Sequence, residues 1–371
     1  VSDRLFVSTR KGLFILKRAA SGAWGIAATA FLGDPVVVTL PDPRDGAIHV
    51  SADLGHFGPK MFVSRDGGAS WAESAVPAYP PMPEGAAPEV NPVSGKAIPW
   101  KLVKVWALEA GGADRPGVLW AGTLPGGLFR SEDGGKSWEL NRPLWDMPSR
   151  KTWFGGGYDS AGIHSVCVDP RDTRCVTVAV SCGGIWRTAD GGATWEPRTK
   201  GMKAPYMPPE MADAPDAQDP HRLVACPADP DALWVQHHGG IFRSRDGGRS
   251  WTEITGVKPS TFGFAVAVHP KDPQTAWFVP ATKDEKRIPA DGRLVVTRTR
   301  DGGATFQTLT AGLPAEPSYD LIYRHSLDVD ATGDRLAMGS TTGGVWVTES
   351  GGDRWSQVPV RFPPVYAARF G

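Results

Sequence analysis

Short apolar runs of about five residues alternate with polar turns along most of the chain. Runs of this length, bounded by Gly, Pro and Asp, read as strands rather than helices. Residues 118–122, 176–181, 232–237 and 335–340 are such runs. Paired glycines then open another apolar segment, as in Gly127-Leu128-Phe129-Arg130, Gly184-Ile185-Trp186-Arg187 and Gly240-Ile241-Phe242-Arg243. Few stretches keep a helical period, so the pattern predicts an all-β protein.

The turn after each paired-glycine strand repeats. Ser64-x-Asp66-x-Gly68-x-Ser70-Trp71 returns as Ser131-x-Asp133-x-Gly135-x-Ser137-Trp138 and as Thr188-x-Asp190-x-Gly192-x-Thr194-Trp195. Further copies are Ser244-x-Asp246-x-Gly248-x-Ser250-Trp251 and Thr299-x-Asp301-x-Gly303-x-Thr305-Phe306. Worn copies end at Trp355, with Ser350 in the Asp position, and at Trp24. Seven units in 371 residues give 53 residues each, near the roughly 40–50 of four-stranded propeller blades. The Asp can accept turn N–H groups, the Gly residues supply backbone angles that other residues resist, and the Trp anchors the hairpin.

The predicted fold is therefore one seven-bladed β-propeller over residues 1–371, with four-stranded antiparallel blades. Residues 4–8 read as a second strand and residues 365–370 as a first strand. The C-terminal strand is expected to complete the first blade and close the ring, which removes open sheet edges.

The boxed string resembles the Asp-box, or BNR, repeat of sialidases and other glycosyl hydrolase-like propellers, a family that also includes xyloglucanases, sortilin-like receptors and a photosystem assembly factor. The resemblance covers nearly the whole chain. It implies a propeller whose boxes face away from the active site, so Asp66, Asp133, Asp190, Asp246 and Asp301 would be structural. It does not imply one activity. Sialidases usually carry six blades and an Arg-Ile-Pro string before the first box; here Arg287-Ile288-Pro289 falls in the sixth unit.

Composition adds limits. With 45 Gly and 34 Pro, these residues are about 21% of the chain, above the usual ~12% yet below the disorder range. The 40 basic and 40 acidic residues cancel, which argues against a nucleic-acid or anionic-membrane partner. No apolar run approaches a membrane span of ~20 residues. The four cysteines, Cys167, Cys175, Cys182 and Cys226, make no disulfide framework and fit a cytoplasmic protein.

Long insertions, residues 76–101, 141–162, 198–221, 280–292 and 313–323, fall on one predicted face, around the central funnel. Six of the eight histidines map there as well: His56, His164, His221, His237, His238 and His325. The strings Tyr158-Asp159-x-x-x-x-His164-Ser165 and Tyr319-Asp320-x-x-x-x-His325-Ser326 echo one another. Neutral imidazoles beside carboxylates are what a zinc, manganese or iron site needs. His164, His221, His237 and His325 are the candidate ligands, with Asp159, Asp219 and Asp320 as ligands or partners. The alternative is that these histidines satisfy buried polar groups or hydrogen-bond an organic ligand.

The catalytic candidates are Asp159, Glu210, Asp320, Tyr158 and Tyr323. The substrate-binding candidates are Arg10, Trp153, Tyr206, Arg287, Arg324, His56 and His238, the arginines as holders of a carboxylate or phosphate. Cys182 is a conceivable nucleophile, or a buried inert thiol. The expected function is a hydrolase or lyase, glycosyl hydrolase-like, acting on a small polar ligand, a carbohydrate by resemblance, with or without a metal. A non-catalytic glycan- or protein-binding propeller is the second reading and a sialidase proper the third.

Overall fold

The computed structural model describes residues 2–156 and 158–371 and shows seven antiparallel sheets arranged as the blades of a closed ring. The innermost strands of blades 2 to 7 are Val36–Pro41, Lys104–Ala110, Ile163–Val168, Pro220–Cys226, Gly263–Val268 and Leu327–Val329. Blade 1 takes its innermost strand, Val365–Phe370, from the C-terminus, paired with Arg4–Thr9. The expected closure is thus observed.

The core is divided among the seven contacts between neighbouring blades. Trp120 and Leu128 of blade 3 meet Val176, Val178 and Trp186 of blade 4. Trp277 of blade 6 meets Met338 and Trp346 of blade 7. Leu5 and Phe370 of blade 1 meet Val345 and Val347 of blade 7. Inside their exposed outermost strands the sheets bury both faces, which is why the inner strands read as continuous apolar runs instead of alternating ones. Trp120, Trp234, Trp277 and Trp346 are almost wholly buried there.

The boxed hairpins show why their residue types recur. Asp66 accepts from the Ser70 N–H at 2.9 Å and the Ser70 hydroxyl at 2.5 Å, while the Ser64 hydroxyl receives the Gly68 N–H. The same bonds recur around Asp133, Asp190, Asp246 and Asp301. In the worn seventh copy Ser350 accepts the Arg354 N–H, a hydroxyl in place of the carboxylate. The box Trp also links blades. The Trp138 indole N–H donates to the Ala75 carbonyl and that of Trp251 to the Arg198 carbonyl, each in the preceding unit.

Two details differ from the sequence reading. In blades 2 to 6 the fourth strand begins just after the box aromatic, as in Ala72–Ser74 and Thr252–Ile254. The insertion at 280–292 extends the sheet: Ala276–Lys283 runs past the blade and pairs with Lys286–Pro289. Among the described residues all four cysteines are free, and no helix is long and apolar enough to cross a membrane.

Candidate functional site

A cavity of about 390 Å³ opens on the ring axis. Four of the five insertions supply its lining: Phe154 and Tyr158, then Tyr206, Asp219 and His221, then Asp284 and Arg287, then Tyr323. The insertion at 76–101 contributes none of the lining and braces its neighbour instead. Glu89 pairs with Arg150 at 2.5 Å, and the Asn91 amide donates to the Phe154 and Asp159 carbonyls.

Asp219, His221 and His238 converge at one side of the cavity, with one donor atom from each lying within 4.8 Å of the others. Asp219 enters blade 5 immediately before the strand Pro220–Cys226, and His238 follows the strand Asp229–His237, so adjacent strand ends bring them together. Asp219 Oδ1 accepts from the Cys182 N–H at 3.0 Å and the Ser181 hydroxyl at 3.3 Å. Its Oδ2 is left facing His221 Nε2 at 3.5 Å and His238 Nδ1 at 3.4 Å. Nδ1 of His221 lies 2.7 Å from the Gly263 carbonyl. That acceptor fixes the proton on Nδ1 and leaves Nε2 with its lone pair toward the cavity.

Electrostatics separate the members of the cluster. Burial works against the Asp219 charge, but His221 and His238 hold its carboxyl well below the usual range. Burial lowers His221, with Asp219 only partly offsetting it. Burial also opposes charge on His238, yet Asp219 outweighs it and raises that imidazole. The Cys182 thiol is pushed up by burial and by Asp219, so it stays protonated and is a poor nucleophile. Its backbone sits at φ 46°, a left-handed conformation costly for a residue with a side chain.

The remaining histidines named as ligand candidates stand outside this cluster. His164 has one ring nitrogen 2.8 Å from the Pro220 carbonyl and the other 3.0 Å from the Ser165 hydroxyl. His325 lines the cavity floor with Nε2 2.7 Å from the His164 carbonyl. Both are held well below the ordinary imidazole range, chiefly by burial. His237 receives the Asp219 N–H on Nε2 and is lowered by burial to about 3. His164 thus ties blade 4 to blade 5, His325 reaches across the axis from blade 7 to blade 4, and His237 joins two strand ends within blade 5. His238, read as substrate-binding, and Asp219, read as ligand or partner, join His221 instead.

Other candidates scatter. Tyr158, Tyr206, Tyr323, Arg287 and Arg324 line the cavity. The Lys104 ammonium donates to the Tyr158 hydroxyl at 2.7 Å, and the Tyr206 hydroxyl donates to the Ala217 carbonyl. Arg287 is paired with Asp284 at 2.6 Å. Arg324 lies over Trp106 at 4.8 Å, and its Nε has no hydrogen-bond partner among the described residues. Asp159 is exposed and paired with Lys96. Asp320 accepts from the Ser318, Ser340 and Thr342 hydroxyls. Glu210, Arg10 and His56 are exposed away from the lining, and Trp153 is buried against Trp186.

Below His325 the axis continues. A small cavity of about 60 Å³ is lined by His325, Glu109, Arg222, Asp328 and Arg369. Arg222, Asp328 and Arg369 also line a wider cavity of about 850 Å³ on the opposite face. Between them Arg369 grips Glu109 through two nitrogens, at 2.9 and 2.6 Å.

No family model matches the chain. A xyloglucanase from Paenibacillus sp is 26% identical over 297 residues, covering 71% of this chain. The chain spans 27% of that relative's length, and 37% of another curated relative. Among solved structures, the GH74 enzyme of Niastella koreensis superposes with a TM-score of 0.58 at 16% identity, covering 96% of this chain and 54% of that one. A structure of YCF48 bound to D1 peptide gives 0.52 at 14% identity, covering 94% and 92%. The chain is thus similar in sequence to xyloglucanases over part of their length, and it shares its propeller fold with glycosyl hydrolases and with YCF48.

Proposed function

We propose that the axial cavity binds and cleaves a small carbohydrate-type ligand, as a hydrolase or lyase of the glycosyl hydrolase kind. The observation that carries this is the cavity itself, whose lining combines flat aromatic faces with charged groups. Trp106, Phe154, Tyr158 and Tyr323 offer flat faces, and Arg324, Asp219 and His238 offer charge. At about 390 Å³ it is at the small end of ligand pockets, which run ~300–1,000 Å³. That size suits one or two sugar units rather than the middle of a polymer. The similarity to xyloglucanases supports a carbohydrate.

Arg324 would hold an anionic substituent, because burial makes a charge-assisted bond there stronger than one in open water. The test is a panel of neutral glycosides, uronides and sialosides, with binding and turnover both measured. Binding of an acidic sugar, weakened about tenfold or more in Arg324→Ala, supports the assignment. A wild-type protein that neither binds nor cleaves any member overturns it.

A second reading, a non-catalytic binding propeller, draws on the YCF48 likeness, which runs nearly end to end in both chains. Ligand binding without turnover would favour it.

A further inference from the structure

We propose that Asp219, His221 and His238 form a site for one divalent first-row transition metal ion, with coordination positions left open toward the cavity. Two imidazoles and one carboxylate are a donor set that suits zinc, manganese or iron(II).

The spacing is the first argument. The Asp219 oxygen stands 3.5 Å from the His221 nitrogen and 3.4 Å from that of His238. These separations are long for charge-assisted hydrogen bonds, which prefer ~2.7–2.9 Å. They match the distance between two ligand atoms that each lie ~2.1 Å from a shared tetrahedral ion, which is about 3.4 Å.

The surroundings are the second argument. Gly263 holds the His221 proton on the far nitrogen, and Ser181 with the Cys182 N–H occupies the far oxygen of Asp219. Such outer contacts orient metal ligands and set their tautomer. His238 is held edge-on by Tyr206 and Phe262, at 4.6 and 5.7 Å between ring centres. The strained Cys182 backbone places its N–H on Asp219, and strain of this kind persists where the surrounding structure over-determines it.

Three protein donors leave room for water or substrate, the arrangement of a catalytic rather than a structural metal. Bound water would then be acidified and available as a nucleophile near neutral pH. The site does not depend on the substrate being a carbohydrate, so its test reads metal alone.

The full chain is stripped with a chelator and titrated with zinc, manganese and cobalt(II) ions. Stoichiometry comes from elemental analysis, affinity from calorimetry, and cobalt absorption reports the ligand set. One ion per chain is expected. Losing an outer-shell partner costs about 10–100-fold in affinity, so His221→Ala and His238→Ala should each cost more than about 100-fold. His56→Ala, away from the cavity, should change nothing. If His221→Ala fails to fold, His238→Gln at the more open edge carries the test, with the fold checked by circular dichroism. Failure of the folded wild-type chain to take up any of the three ions stoichiometrically overturns the proposal. Unchanged affinity in the His238 variants does the same.

Discussion

Deleting residues 365–371 removes the strand that closes the ring. Val365 and Phe370 are 1% and 8% exposed, and Ala367 and Ala368 are buried beside them. Burying a large apolar side chain contributes about 1.5–3 kcal/mol, and each small one somewhat under ~1 kcal/mol. The four together supply roughly 4–7 kcal/mol, against a typical net stability of about 5–15 kcal/mol. The deletion also bares the edge of Arg4–Thr9 and strips Glu109 of Arg369. The truncated chain should therefore lose cooperative unfolding, or unfold at far lower urea. Tryptophan fluorescence and near-ultraviolet dichroism through a urea series would read it. A synthetic peptide of residues 363–371 added in trans should restore part of the transition. Phe370→Ala, a cavity variant of the same strand, should cost about 3–5 kcal/mol. A truncated protein that unfolds cooperatively within about 1 kcal/mol of the full chain would refute the argument.

Acid should destabilise the ring before ordinary carboxylates titrate. His164 and His325 are held neutral by burial, while their unfolded counterparts take up protons below pH ~6.5. The unfolded state then binds more protons, so stability falls as pH falls, by up to about 1.4 kcal/mol per pH unit for each group. Urea midpoints at pH 7, 6 and 5 test this, and a flat profile would sink it. Trp251→Phe keeps most of the buried ring but loses the bond to Arg198; a loss of about 1–2 kcal/mol is expected, and an unchanged midpoint would show that this inter-blade bond contributes nothing. Gly192→Ala combines φ 98° with a Cβ only 2.4 Å from the Asn141 amide. It should destabilise blade 4 by more than about 1 kcal/mol, and a neutral result in the same urea assay would contradict that.

The repeat was legible because each box is a local device: Asp190 and the groups it binds lie within four residues of one another. Blade number, strand order and ring closure follow once seven such hairpins are counted. The site was legible only in outline. The insertions and the histidine-rich face pointed to the cavity, but the partner of each imidazole is set by ring packing. His325 meets the His164 carbonyl across 161 positions of chain, and His164 meets Pro220 across 56. No spacing rule reveals such pairs. The echo of Tyr158-Asp159-x-x-x-x-His164 in Tyr319-Asp320-x-x-x-x-His325 did mark two histidines that meet at the axis, but its acids part ways, since Asp159 meets Lys96 while Asp320 meets hydroxyls. One local signal for the cluster was available: Asp219-x-His221, two residues apart at a strand entrance, places both side chains on the same face.

Arg369 belongs to the closing strand, and it lines both the small axial cavity under His325, where it grips Glu109, and the wider cavity of the opposite face. The element that fastens the ring therefore also furnishes its axial lining. Fraying of the C-terminal strand would withdraw Arg369 from Glu109 together with the innermost strand of blade 1, so ring closure and the axial lining stand or fall as one.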